Sequence, residues 1–137
     1  MHPSEFLRVA VDLARVNGSA ECRTAISRAY YALFNTADLF LEELGIAKPK
    51  RDRHQVFPRM LLNSGDADIV EVGSAMSDLH QQRLDADYHL HKPYPENPKN
   101  VEAVIQEATR LIGMLNSCPS GSPRWLKIQA SIGKVQY

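Results

Sequence analysis

An arginine occupies an apolar helical face where a leucine is expected. The apolar residues between Ile69 and Leu90 recur at intervals of three and four, the spacing of a helix face that packs on other helices, and Arg83 lies on that face. A guanidinium in such a place needs a partner, because an unpaired buried charge is costly. Asp87 follows one helical turn later, so we expect an Arg83–Asp87 ion pair inside the protein or at a subunit seam.

This pairing predicts unequal effects for two neighbouring substitutions. Asp87→Ala removes the partner of a buried guanidinium and is expected to cost on the order of 3 kcal/mol. Asp85→Ala is expected to cost a fraction of 1 kcal/mol, because no buried partner is predicted for it.

Composition limits the class of protein. The chain has 137 residues, of which 44% are hydrophobic, and this suits one domain with a single core. Sixteen basic and sixteen acidic residues cancel, so a contact with nucleic acid or an anionic membrane needs a local patch. The two cysteines have no metal-binding or disulfide spacing, and no signal peptide or apolar run of about 20 residues is present. We expect a cytoplasmic protein with no membrane contact.

Helical periodicity runs through the chain and predicts an all-α fold, an up-down bundle of four main helices and one short helix. We divide the chain into a bundle of residues 1–118 and a C-terminal arm of residues 119–137 that is helix, strand or an arm onto a partner. Pro58 is expected in the first turn of the short helix. The predicted helices cover about 5–16, 19–44, 56–63, 66–88 and 97–115. Asp66 and Asn97 are expected to cap the last two helices. The second helix has one apolar seam, formed by Ile26, Tyr30, Leu33, Ala37, Phe40 and Leu44.

The second helix has two interpretations. In one, Tyr30 and Phe34 pack in the core, as aromatic residues at helical spacing usually do, while Arg23 and Arg28 are solvated or paired on its flank. In the other, the helix contributes a polar lining beside the arginine of the later helix, formed by Tyr31 and Asn35.

Four polar residues near the end of the fourth helix admit a metal site. Asp85, Asp87, His89 and His91 would point one way in an extended chain, and in a helix they would form the i, i+4 pairs Asp85/His89 and Asp87/His91. Carboxylates and imidazoles bind zinc, manganese or iron. We nevertheless assign no metal and no cofactor, because the apolar periodicity favours a helix only up to about Tyr88 and Asp87 is expected to pair with the arginine.

One loop carries the basic cluster of the chain, and it includes His54. Such clusters are usually solvated. If the protein binds RNA, this loop is the first candidate for phosphate contacts. The basic residues concerned are Lys48, Lys50, Arg51 and Arg53.

Two strings carry a resemblance to a known family. They are Ser27-Arg-Ala-Tyr-Tyr-Ala-Leu-Phe-Asn35 and Arg83-Leu-Asp-Ala-Asp-Tyr88. Over roughly residues 5–117 the chain resembles the HEPN family (higher eukaryote and prokaryote nucleotide-binding domains). The resemblance implies a bundle of four to five helices that usually forms a homodimer, with the motif helices facing each other across a cleft.

Active members of that family are metal-independent endoribonucleases, often toxins or defence effectors, with an Arg and a His separated by four to six residues. Arg83 and His89 fit this spacing and would form the catalytic pair. A guanidinium holds the scissile phosphate, while a histidine titrating near neutrality moves the proton. The residues that would support the pair are Asp87, Tyr88, Tyr31 and Asn35.

The chain also departs from the active pattern. Leu84 follows the arginine, where ribonucleolytic members usually have Asn, Asp or His. The form Arg-x-x-Ala-Asp-Tyr occurs in members that resemble non-catalytic partners, often encoded beside a minimal nucleotidyltransferase. In that interpretation the protein binds the nucleotidyltransferase or a nucleotide. Arg83–Asp87 is then a structural clamp, and His89 has no catalytic role. Both interpretations stay open at the level of sequence.

Overall fold

The computed structural model describes residues 1–137. The chain folds into six α-helices and one short 3-10 turn, and it contains no strand. The predicted all-α class is therefore confirmed. No helix combines the length and the apolar character needed to cross a membrane. The elements are α1 (Ser4–Ala14), α2 (Ser19–Glu43), α3 (Arg53–Leu62), α4 (Ala67–Tyr88), the 3-10 turn (Tyr94–Glu96), α5 (Pro98–Asn116) and α6 (Pro123–Gly133).

Helix α2 is the centre of the bundle. It packs against α1, α4 and α5, while α3 packs mainly against α4. With 25 residues α2 is the longest helix, and burial of its apolar face gives most of its stability. The apolar seam predicted for it is buried, namely Ile26, Tyr30, Leu33, Ala37, Phe40 and Leu44.

Side-chain caps begin two of the helices where the sequence predicts them. Asp66 accepts hydrogen bonds from the backbone N–H groups of Asp68 and Ile69 at 3.1 and 3.2 Å, which satisfies two free donors of α4. Asn97 caps α5 in the same way through Lys99. Helix α4 ends at Tyr88, as expected.

Two local predictions are wrong. Leu90 lies beyond the end of α4 and is 70% exposed, so the packed face ends before it. Pro58 is the sixth residue of α3 and lies outside its first turn. The helix begins early because Asp52 adopts a left-handed conformation, with a φ of 56°, and its carbonyl accepts from the N–H of Val56 at 2.9 Å.

The C-terminal arm folds as a helix, one of the three alternatives left open. Ile128 and Ile132 of α6 are buried in the same core as the rest of the bundle. Arg124 forms an ion pair with Asp66, with an Nε–Oδ2 distance of 2.6 Å, and so anchors α6 to the start of α4. The arm therefore extends the bundle.

Candidate functional site

Arg83 lies between two tyrosine rings and beside the predicted carboxylate. Its Nε is 2.9 Å from Oδ2 of Asp87, although the direction of the N–H leaves Nε without a hydrogen bond. Its guanidinium carbon is 5.1 Å from the ring centroid of Tyr31 and 5.4 Å from that of Tyr88. The side chain is 13% exposed, so the expected pair is present and mostly buried. Asp87 also accepts a hydrogen bond from Ser27 at 3.1 Å, which ties α4 to α2.

The stacking continues along α2 towards α1. The guanidinium carbon of Arg28 lies 5.1 Å from the centroid of Tyr31 and 5.1 Å from that of Phe6. Arginine and aromatic side chains thus alternate in the order Phe6, Arg28, Tyr31, Arg83, Tyr88, and we call this series the arginine–aromatic ladder. Such contacts stabilise a guanidinium by about 0.5–1 kcal/mol each at exposed sites and by more when desolvated. Tyr88, at the end of the ladder, is 65% exposed.

A pair of stacked imidazoles lies next to the ladder. The rings of His54 and His80 are nearly parallel, with centroids 4.8 Å apart, and Nδ1 of His54 is 2.7 Å from the hydroxyl oxygen of Tyr30. Burial lowers the pKa of both histidines, and the charge of Arg83 lowers them further, as does the neighbouring His80 for His54. Both rings are therefore mainly neutral at pH 7.

The positions of the two histidines differ from what the sequence predicted. His54 packs against Tyr30 and Phe34, so it is not part of the solvated basic loop. No role for His80 was predicted from the sequence, although it lies one turn before Arg83 on the same side of α4. That i, i+3 spacing is the signal that identifies it.

His89 faces a different carboxylate from Arg83. Its Nδ1 is 2.6 Å from Oδ1 of Asp85, and the imidazole is 43% exposed. Because Asp85 and Asp87 are two residues apart on one helix, their side chains project about 160° from each other. Within one chain the structure therefore brings together Arg83, Asp87, Tyr88 and Tyr31, and it does not bring His89 to that group.

Asp85 is the more deeply buried of the two carboxylates. Its side chain is 6% exposed, against 27% for Asp87. Besides His89, it accepts hydrogen bonds from the hydroxyl of Tyr94, from Lys92 at 3.1 Å and from Gln81 at 3.2 Å. The bond from Tyr94, followed by the other three donors, holds the pKa of Asp85 well below its usual range in spite of burial.

Asp85 and its four side-chain donors, which we call the Asp85 cluster, reverse the expected order of destabilisation by the two alanine substitutions. The sequence predicts a larger loss of stability for Asp87→Ala, because the only buried partner that it reveals is the arginine one turn before Asp87. The structure shows four side-chain donors on Asp85, of which Tyr94 lies nine residues away beyond the end of the helix.

Arg23 was expected to be solvated or paired on the flank of α2, and of these two alternatives it is paired, in a position more buried than a flank implies. It is buried, and its Nη2 is 2.7 Å from Oε2 of Glu96. Its Nη atoms also donate at 2.6–3.4 Å to carbonyls that end α4 or follow it. These are the carbonyls of Asp85, Ala86, His89, Leu90 and Lys92. The spacing of Arg23 from Ile26 and Tyr30, three and seven residues, is the signal that it lies on the packed face.

Asn35 does not join the site. Its amide nitrogen donates to the carbonyl of Tyr31 at 2.7 Å, within its own helix, and no hydrogen bond links it to Arg83. The expected polar lining is therefore provided by Tyr31 without Asn35.

The basic loop is partly neutralised. Lys48 pairs with Asp38, and Arg53 donates to the carbonyl of Pro49 at 3.0 Å while its guanidinium lies over Phe57. The two exposed cations of the loop are Lys50 and Arg51.

The alternative metal site does not form from its four residues. Asp87 faces Arg83 while Asp85 faces His89. No group of three or more His, Cys, Asp or Glu side chains is arranged to hold a metal ion.

No family model, no curated protein and no solved structure matches the chain. The geometry of the ladder and of the Asp85 cluster is therefore the ground for assigning a function.

Proposed function

We propose that the protein is a HEPN-like up-down helical bundle that binds RNA or a nucleotide through the arginine–aromatic ladder without cleaving it. The two strings that carry the family resemblance contribute side chains that touch one another. From the first string come Ser27 and Tyr31, and from the second come Arg83, Asp87 and Tyr88.

The main support for this proposal is the exposure of Tyr88. Its ring rests on the guanidinium of Arg83, yet the residue is 65% exposed, so a broad aromatic surface is available to a ligand. Proteins recognise single-stranded RNA by stacking unpaired bases on such rings, and each stacked base contributes about 1–3 kcal/mol. In this arrangement Tyr88 contacts the base, and Arg83 is a positioning residue that fixes the ring.

The same contacts favour binding over catalysis. Arg83 is mostly buried and already paired with Asp87, so its guanidinium is not presented to a scissile phosphate. His89 is directed to Asp85 and does not meet Arg83 within the chain. Non-catalytic HEPN proteins are often encoded beside a minimal nucleotidyltransferase. The proposal includes a partner protein of that kind, a cytoplasmic location and no metal or cofactor.

Fluorescence anisotropy with a labelled single-stranded RNA tests the proposal. Tyr88→Ala is expected to weaken binding about tenfold or more, because it removes the stacking surface, whereas Tyr88→Phe is expected to keep most of the affinity. Leu126→Ala is the matched control, since Leu126 is also an exposed hydrophobic residue and lies on α6. Unchanged binding by Tyr88→Ala would remove the central contact of the proposal.

A metal-independent endoribonuclease is the second candidate, and the Asp85–His89 contact favours it. A carboxylate 2.6 Å from Nδ1 holds the imidazole of His89 in one orientation, and the ring is 43% exposed, so Nε2 is left to act as a general base. In a homodimer with facing motif helices, the imidazole of one protomer and the guanidinium of its partner would form one site. The 2′-oxygen would attack phosphorus and the 5′-oxygen would leave with a proton, giving a 2′,3′-cyclic phosphate.

One incubation of RNA with the purified protein distinguishes the two candidate functions. If the protein is a ribonuclease, purified wild-type protein cuts RNA in the presence of a chelator, and both Arg83→Ala and His89→Ala abolish the cutting. Sedimentation equilibrium on the same samples must then show a dimer. Intact RNA after incubation with protein that binds it supports the binding function.

A further inference from the structure

We propose that Arg28 binds a backbone phosphate, so that the ligand of the ladder is an RNA strand of two or more nucleotides and not a mononucleotide. This inference rests on the proposed function and adds a second contact point to it. Base stacking on Tyr88 alone does not distinguish a strand from a free base, whereas an additional phosphate contact at Arg28 does.

The geometry holds Arg28 in place but leaves its donors free. Its guanidinium lies over Tyr31 and Phe6, each at 5.1 Å, and forms no ion pair with a carboxylate. Its side-chain hydrogen bond is a long contact of 3.5 Å from Nη2 to Oγ of Ser27. A guanidinium has five N–H donors in a planar fork that matches phosphate, and stacking between rings reduces the entropy lost on binding.

The charges of the ladder also favour an anion. It contains two guanidinium groups, those of Arg28 and Arg83, and one carboxylate, Asp87, lies against Arg83. One positive charge is therefore uncompensated, and it belongs to the half-buried Arg28. Arg83 is neutralised locally, so the phosphate is expected at Arg28.

The position of Arg28 along the ladder sets the length of the ligand. Tyr31 and Arg83 lie between Arg28 and Tyr88, with three successive contacts of 5.1, 5.1 and 5.4 Å. A ligand that stacks a base on Tyr88 and places a phosphate on Arg28 must cross these two residues. A strand does this, whereas a single nucleotide contacts either Tyr88 or Arg28.

Salt-dependent binding measurements test Arg28 directly. Arg28→Gln is expected to weaken binding of an oligouridylate about tenfold at low salt. It is also expected to reduce the slope of log affinity against log salt by about 0.7, the value for one phosphate contact on a single strand. Arg28→Lys, which keeps the charge, is expected to retain the slope.

Arg110→Gln is the matched control, because it removes the same charge from an exposed arginine. Arg110 pairs with Glu71, which precedes Arg83 by about 18 Å along α4. The affinity of Arg110→Gln for the oligouridylate, and its slope of log affinity against log salt, are expected to equal those of the wild type. Uridine monophosphate and uridine are measured as competitors, and both are expected to compete far more weakly than the oligouridylate.

The outcomes separate this inference from the proposed function. If Tyr88→Ala loses binding while Arg28→Gln keeps the wild-type affinity and slope, the ladder binds a base and the phosphate contact is wrong. If uridine monophosphate competes as well as the strand, the ligand is a mononucleotide and the strand is wrong. If wild-type protein binds none of the three probes, both proposals fail.

Discussion

Replacing Asp85 with alanine is expected to lower the free energy of unfolding by about 3 kcal/mol, against roughly 1 kcal/mol for Asp87→Ala. Asp85 is nearly inaccessible and accepts from four side chains, so its removal leaves Tyr94 and Lys92 without their acceptor. Arg83 keeps its two tyrosine contacts when Asp87 is removed. Urea unfolding followed by far-ultraviolet circular dichroism gives both values.

Asp85→Asn is the informative control, because it keeps one acceptor oxygen and removes the charge. Its loss is expected to fall between those of the two alanine variants. A larger loss for Asp87→Ala than for Asp85→Ala would restore the order that the sequence suggests. It would mean that the cluster around Tyr94 contributes little to stability.

Arg23→Ala is expected to have the largest effect on stability, roughly 3–5 kcal/mol. The substitution removes the ion-pair partner of Glu96 and one donor from each of five carbonyls that end α4 or follow it. Free carbonyls at a helix end need such partners. Arg23→Lys is expected to recover little, because an ammonium group lacks the planar fork that spans these acceptors.

Hydrogen exchange locates this effect. In Arg23→Ala, faster exchange is expected first at the backbone N–H groups of His89 and Lys92, which bond to carbonyls of the same segment. Arg15→Ala removes an exposed arginine of the same charge and is expected to leave exchange unchanged. Uniform loss of protection across α1 and α5, with none specific to the end of α4, would contradict the assigned role of Arg23.

Local rules account for what the sequence predicted correctly. The caps of α4 and α5 depend on residues two or three positions apart, and the Arg83–Asp87 pair depends on one helical turn. Helical periodicity identified the buried face of α2 because α2 packs on three other helices. Each of these features is determined by neighbours along the chain.

The contacts that the sequence did not reveal join distant segments. Arg23 donates hydrogen bonds to carbonyls more than 60 residues later, and Tyr31 of α2 contacts Arg83 of α4. The stacking of His54 on His80 requires α3 to pack on α4. His89 was paired with Arg83 by spacing alone, whereas the end of α4 turns it towards Asp85.

Photocrosslinking shows whether the exposed ring of Tyr88 stacks on a base of the bound RNA. RNA containing 4-thiouridine is bound to the wild-type protein and irradiated, and the modified residues are located by mass spectrometry. Adducts are expected on Tyr88, with further adducts at Tyr31, and both are expected to be lost in Tyr88→Ala. Adducts confined to the exposed basic loop at Lys50 and Arg51, with none on the ladder, would contradict the stacking of a base on Tyr88.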